Sequence, residues 1–382
     1  MPDASNPMRD QVLATPGALR AAFADMERAV RVVLGTPEIY RIRRLVLIGS
    51  GDSRFAAKAA EMAMLELGGV PIEVRPPMEA GRYHAALSRR RDLENTLLIA
   101  LSNSGEAARV CEAAALYRAR GAGALAITRA AASPLATAAG RALVLPIPTL
   151  PPSPGFAPYL FQFTALALLA IRIGEVRMSM TMDRAQALRR ALMVRFDELE
   201  RVVQAVDEPC RLLAAKLKDK TRFEFVGAGP SFAVSEYGAA KILEATGGSA
   251  IAVELEEWTH VNYFDAAPEE IATQLTMPRR SRAESRGMEL LTYMTKLGRA
   301  VTVIGAGAVA EAGRERGQTV LEIDCDVAEP LSPLLLSVPH ALFAAHLAAQ
   351  TGAEYGRGTK GRWEDAADGS TVQKSVMWAG GR

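Results

Sequence analysis

Apolar residues along this chain follow two rhythms. Between residues 8 and 35 they recur at helical spacing, with Pro16 placed to suit a first turn, so the chain is expected to open as a helix. The next apolar run, Arg44-Leu-Val-Leu-Ile48, is short and unbroken. It ends in Gly49-Ser-Gly-Asp-Ser53 and opens into an Ala-rich stretch, which reads as strand, tight turn and helix. Thr96-Leu-Leu-Ile-Ala-Leu101 runs in the same way into Ser102-Asn-Ser-Gly-Glu106. Ala124-Leu-Ala-Ile-Thr128 is followed by Ser133-Pro134, a cap and first turn for another helix. Strands alternating with helices predict an α/β fold whose parallel sheet is covered on both faces.

The same pattern returns later. Residues 46–79 align without a gap on residues 224–257 at an offset of 178, so that Gly49 falls on Gly227, Gly51 on Gly229, Ser53 on Ser231, Glu66 on Glu244, Gly69 on Gly247 and Glu79 on Glu257. A duplicated α/β unit follows. The expected organisation is an N-terminal helical segment (1–35), a first domain (36–182), a helical linker (183–217), a second domain (218–350) and a C-terminal tail (351–382). Gly305-Ala-Gly307, after Val301-Thr-Val-Ile304, lacks the rest of a dinucleotide fingerprint and is read as a turn.

Chemistry-bearing residues are distributed unequally between the copies. The first has closely spaced hydroxyls in Ser102-Asn-Ser-Gly105, with Ser53 at the neighbouring strand end, where the second has Thr276-Met-Pro278 and arginines. Hydroxyls beside the free N–H groups of a helix N-terminus suit an anion, although Ser and Asn also cap helices routinely. The second copy has ionisable groups instead. Lys241 and Glu244, three apart on a helix, share a face, and Glu257 and His260 follow; the first copy has Ala63 for Lys241 and Arg82 for His260. His340 and His346 lie in an apolar helical stretch and are expected to be structural.

Composition narrows the classes. At 382 residues with a formal charge of +2, the chain has room for two domains and no basic footprint for nucleic acid. Arg279, Arg280, Arg282 and Arg286 read as a solvated face. Cys111, Cys210 and Cys325 are far apart, which supports neither a disulfide framework nor a zinc site, and Cys111 and Cys325 have the apolar neighbours of buried thiols. No metal or other cofactor is expected. The polar start MPDASNPMRDQ lacks a signal-peptide core, and the apolar run 159–173 falls short of the ~20 residues of a membrane span. A cytoplasmic location without membrane partners is therefore expected.

Taken together, these motifs resemble the double sugar isomerase (SIS) domain family, in particular the isomerase half of glutamine–fructose-6-phosphate aminotransferase. Gly51-Asp-Ser53 resembles the family's first Gly-x-Ser turn, Ser102-Asn-Ser-Gly-Glu106 its phosphate loop, and Gly238-Ala-Ala-Lys-Ile-Leu-Glu244 the helix with its catalytic glutamate. His260 stands at the synthase spacing after Glu244, Lys374-Ser-Val376 resembles the synthase tail, and Pro16-Gly-Ala-Leu19 the start of its isomerase half. The resemblance implies two tandem doubly wound, flavodoxin-like domains with a helical N-terminus and a short tail. It implies that Gly51, Asp52, Ser53, Ser102, Asn103 and Ser104 line the sugar-phosphate site. Glu244 would move a proton between C1 and C2, Lys241 would support it, His260, with Glu257 three before it, would assist ring opening in a neighbouring subunit, and Lys374 would touch the open-chain sugar. A homodimer with shared sites follows from that role of His260.

Departures from the family accompany the match. Asp52 replaces a threonine, Ala107 another, and Pro158-Tyr159 a Ser-Thr pair, which reduces the grip on phosphate. The sequence has no glutaminase domain and no N-terminal cysteine, so glutamine is not expected to be its ammonia source. The implied activity is aldose–ketose isomerisation or deamination of a phosphosugar or amino-sugar phosphate, through ring opening and an enediol or enediolamine. The alternatives are a deglycase releasing an amine, or a non-catalytic sugar-phosphate-binding regulator.

Overall fold

The computed structural model describes residues 6–324, 327–361 and 375–378. In chain order the elements are α1 (Pro7–Val33), α2 (Thr36–Arg41), β1 (Arg44–Gly49), α3 (Asp52–Gly68), β2 (Ile72–Arg75), a π-helical turn (Glu79–Ala85), α4 (Arg90–Leu93), β3 (Thr96–Leu101), α5 (Ala108–Ala119), β4 (Gly123–Thr128), α6 (Pro134–Ala139), β5 (Ala142–Val144) and α7 (Ala157–Val176). They continue with α8 (Met182–Leu217), β6 (Arg222–Gly227), α9 (Pro230–Thr246), β7 (Ser249–Glu254), α10 (Glu257–His260), β8 (Ile271–Met277), α11 (Glu284–Lys296), β9 (Ala300–Gly305), α12 (Ala308–Glu315), β10 (Thr319–Glu322) and α13 (Pro333–Thr351). The chain divides into two compact units, with breaks after Gly17, Thr149, Phe156, Val194 and Tyr355, and each unit holds one sheet.

Both sheets are wholly parallel and five-stranded. The first has the order β2-β1-β3-β4-β5 and the second β7-β6-β8-β9-β10, the same doubly wound topology twice. β3 is buried along its whole length, and β1 along all but its first residue, which fits strands covered on both faces. On one face of the first sheet, α3 packs against α7; in the second, α9 packs against α13.

Two copies of one turn open these units. β1 and β6 coincide at the offset of 178, as do the 17-residue helices α3 and α9. Gly51 has φ 54° and ψ −131°, and Gly229 φ 53° and ψ −127°, a conformation that disfavours any side chain. A Cβ at Gly49 would stand 2.7 Å from the Ser53 carbonyl carbon, and one at Gly227 2.6 Å from the Ser231 oxygen. The glycines let the first helical turn close directly over the strand end.

Three expectations need correction. The first helix begins at Pro7 and contains Pro16 in its interior, because Asn6 caps it by accepting from the Arg9 amide (3.1 Å). The apolar run 159–173 belongs to a 20-residue helix, α7, which has the length and composition to cross a membrane, as has α13; both are mostly buried, the behaviour of core helices. Thr276 does not lie in the turn after the strand. It is the penultimate residue of β8, buried and hydrogen-bonded to His340 (3.0 Å), so the turn proper starts at Pro278.

Candidate functional site

In the first unit, the ends of β1 and β3 present the two hydroxyl-bearing turns. Ser53 is buried in the first turn of α3. Ser102 Oγ accepts from the Gly105 amide (3.1 Å) and Ser104 Oγ from the Glu106 amide (3.3 Å), so each hydroxyl keeps its own hydrogen to donate. The Asn103 carbonyl accepts from Thr128 Oγ1 (3.2 Å) and the Arg129 amide (3.1 Å), which ties this turn to the end of β4. Asn103 Oδ1 is buried and has no partner. The following helix, α5, starts without a side-chain cap at Ala107, leaving the amides of its first turn open to a ligand. Asp52 sits in the first turn of α3, and its charge, after the larger effect of burial, raises the pKa of the Tyr159 phenol on α7.

One carboxylate in this unit escaped the sequence reading. Glu112, on α5 and almost wholly buried, accepts from Arg82 Nε (2.8 Å), pairs with Arg109 and accepts from the Trp378 amide. Burial pushes its carboxyl up, but the hydrogen bonds from Arg82 and Trp378 and the charges of Arg109 and Arg82 bring it below the usual carboxylate range. Arg109 also donates to Ser375 Oγ (3.2 Å), so residues of the tail dock beside the serine turn. The only signal available in the sequence was Arg82, noted as the counterpart of His260. Lys374 lies outside the described residues, as does Cys325.

The second unit carries a different chemistry. Lys241 on α9 is 0% exposed, and its ammonium stands 2.6 Å from Glu244, whose side chain is 40% exposed. It also lies 5.1 Å from the Tyr237 ring centroid, a cation–π contact, and the Tyr237 hydroxyl donates to the Gly155 carbonyl (3.0 Å). A buried cation thus faces a carboxylate that reaches solvent. Glu257 and His260 are the first and last residues of α10, and both are exposed. His260 Nε2 lies 3.3 Å from Glu256, not against Glu257, and Arg286 beside Glu256 holds that carboxyl below its ordinary range.

The remaining residues singled out from the sequence occupy supporting positions. His340 is fully buried between Gln274 (2.9 Å) and Thr276, and burial lowers its pKa to about 3. His346 pairs with Asp207 (2.8 Å). Cys111 and Cys210 are buried, and burial raises both thiol pKa values. Of the basic cluster, Arg279 pairs with Asp324 (2.7 Å) and Arg286 with Glu256 (2.6 Å). Among the described residues no three His, Cys, Asp or Glu side chains gather as a metal site.

Residues 38–172 match the family model of the SIS domain. The first sheet is therefore a SIS domain. The second sheet repeats the SIS topology strand for strand, and the tandem fold has a close solved counterpart. The C-terminal domain of glucosamine-fructose-6-phosphate aminotransferase from Francisella tularensis superposes with a TM-score of 0.77 at 17% identity, over 92% of this chain and 98% of that one. A glucosamine-6-phosphate deaminase from Thermotoga maritima shares the fold with a TM-score of 0.63 at 17% identity, over 92% and 96% of the two chains. In sequence, 90% of the chain is similar to glutamine–fructose-6-phosphate aminotransferase from Gloeobacter violaceus, with 24% identity over 352 residues; it spans 56% of that relative's length. The tandem SIS fold is thus one that phosphosugar isomerising and deaminating proteins share.

Proposed function

We propose that this chain is an enzyme that binds a phosphorylated sugar or amino sugar and moves a proton between the two carbons at its reducing end. In this reading the first domain (36–182) takes the anionic group at Ser53, Ser102, Asn103 and Ser104, with the main chain at Gly51 and Asp52. The second domain (218–350) supplies the chemistry, and the tail (351–382) contributes Lys374. The observation that carries the proposal is the Lys241–Glu244 pair. A fully buried ammonium at 2.6 Å orients a carboxylate that reaches solvent, as a positioned base needs. At the matching place the first domain has a glutamate, Glu66, but Ala63 where the lysine would be.

After ring opening, which His260 and Glu257 assist, Glu244 removes the proton alpha to the carbonyl. The electron pair moves into an enediolate, the hydroxyl proton passes to the former carbonyl oxygen, and Glu244 returns its proton to the former carbonyl carbon. Lys374 stabilises the oxyanion as it develops. A homodimer in which His260 serves a neighbouring site belongs to the same proposal. Glu244→Gln is expected to lower turnover of the responsive phosphosugar by about 10²–10⁴-fold while its binding, followed by thermal shift, is kept. Full turnover in that variant would remove Glu244 as the base.

A second reading, release of an amine from a phosphosugar adduct, is favoured by Asp52 and Glu106. They place carboxylates in the two turns that would otherwise present only neutral donors. Ammonia or amine released from glucosamine 6-phosphate, against isomerisation of fructose 6-phosphate, separates the two reactions.

A further inference from the structure

Beneath α10 the second unit contains an ionic network that the chemistry above does not use. Glu224, on the inner strand β6, is 1% exposed, and Arg299, immediately before β9, is 0% exposed. Glu224 Oε2 accepts from Trp258 Nε1 (2.8 Å), Thr273 Oγ1 (3.0 Å) and Arg299 Nη1 (3.0 Å), and Oε1 accepts from Asn262 Nδ2 (2.8 Å). Arg299 Nη2 donates to the Asn262 carbonyl (2.6 Å), and its guanidinium lies 5.0 Å from the Trp258 ring centroid. Trp258 and Asn262 stand two residues before and two after His260.

The fold does not require this network. In the first unit the same positions are Val46, Ala80 and Ala122, all members of one apolar core cluster. Across the ladder Leu98 faces Val46 there, where Thr273 faces Glu224 here. The topology is identical with and without the charges. A buried ion pair gives little or no net stability over apolar residues of like volume, so its presence in one copy calls for a role other than stability. The segment above it is short and partly exposed: α10 is four residues long, a 3-10 turn follows (Asn262–Phe264), and His260, Val261 and Phe264 are exposed, while Trp258 lies in the apolar core and Tyr263 packs against Tyr293.

We propose that Glu224 and Arg299 are positioning residues, a buried strap that fixes residues 257–264 and thereby the orientation of Glu257 and His260. The strap itself is a statement about this segment; its catalytic consequence rests on the function proposed above. One carboxylate grips the segment on both sides of His260, through Trp258 and Asn262, which an isolated apolar contact does not do. Rotation of α10 would break several hydrogen bonds to a charge that has no solvent to turn to.

The test is to give the second copy the residues of the first, Glu224→Val with Arg299→Ala, which removes both charges together. Asn262→Ala, a milder change that releases only the far side, serves where the double variant does not fold. Amide hydrogen exchange of residues 257–264 is expected to accelerate at least tenfold in either variant, with the β6 and β8 amides unchanged. Turnover of fructose 6-phosphate or glucosamine 6-phosphate, whichever the wild type accepts, is expected to fall at least tenfold with KM within twofold. Unchanged exchange overturns the strap whether or not the protein is an enzyme. Faster exchange with full turnover overturns its positioning role. A wild type inert towards all phosphosugars sinks the proposed function and leaves the exchange result to decide the strap.

Discussion

The two sheets share a strand order, a pair of entry turns and first helices of equal length, yet their interiors differ in kind. Beneath the segment after β2 the first unit is apolar, built on Val46, Ala80 and Ala122; the second encloses Glu224, Trp258 and Arg299 at those places. On the first helix after the sheet's entry turn, Ala63 is replaced by the buried Lys241. Backbone architecture is therefore satisfied by either set, and the charged set is an addition to it. The first unit has buried charge as well, in Glu112, but on α5 beside the serine turn and the docked tail.

The largest effect that would sharpen this contrast is expected from Arg299→Ala alone. It leaves Glu224 ionised and unpaired in the interior, a loss of about 3–5 kcal/mol in chemical denaturation. The opposite transplant, Val46→Glu with Ala122→Arg, would have to leave the first unit folded for the two interiors to be truly interchangeable. Next come the entry turns: Gly51→Ala and Gly229→Ala are each expected to cost roughly 1–3 kcal/mol, because both enforce the same positive φ. Clearly unequal losses would break the equivalence of the two turns.

A pH effect of similar size belongs to the second unit. His340 is neutral in the fold, with its pKa lowered to about 3 by burial, whereas the unfolded chain takes up the proton near the ordinary value of 6.5. Stability that is complete above that value is thus lost progressively as the pH falls from 6.5 towards about 3, by up to about 1.4 kcal/mol per pH unit. Melting temperatures should decline over this range, and His340→Gln should flatten the decline. At the equivalent place α7 has Thr164; the first unit has its own lowered histidine, His84, where burial is the main cause. Smallest is the loss from Ser102→Ala with Ser104→Ala, two hydrogen bonds of roughly 0.5–1.5 kcal/mol each. It should appear as a raised KM for phosphate esters, and an unchanged KM would take the anion away from this turn.

Much of the architecture was legible in the sequence because its signals are local. A short apolar run ending in glycines, followed by a helical period, specifies strand, turn and helix within some ~25 residues, and its recurrence at a fixed offset announces two units. The Lys241–Glu244 pair was legible for the same reason, since residues three apart on one helix face each other. The span of α1 was legible to within a residue or two, but Pro16 lies in its interior and the first turn belongs to Pro7, because the capping contact of Asn6 is invisible in a periodicity.

His260 shows where local signals end. Spacing shows only that Glu257 stands three residues before His260; in the single turn of helix its partner is Glu256, four residues before it and next to Arg286. What the sequence determined by itself is the succession of strands, turns and helices, and the fact of duplication. Only the tertiary structure decided that residues 224, 258, 262, 273 and 299 meet around one carboxylate, and that the tail lies against Arg109 and Glu112. The reason is physical: those partners lie on different strands and loops, so ladder register and burial, not neighbourhood along the chain, bring them within hydrogen-bonding distance.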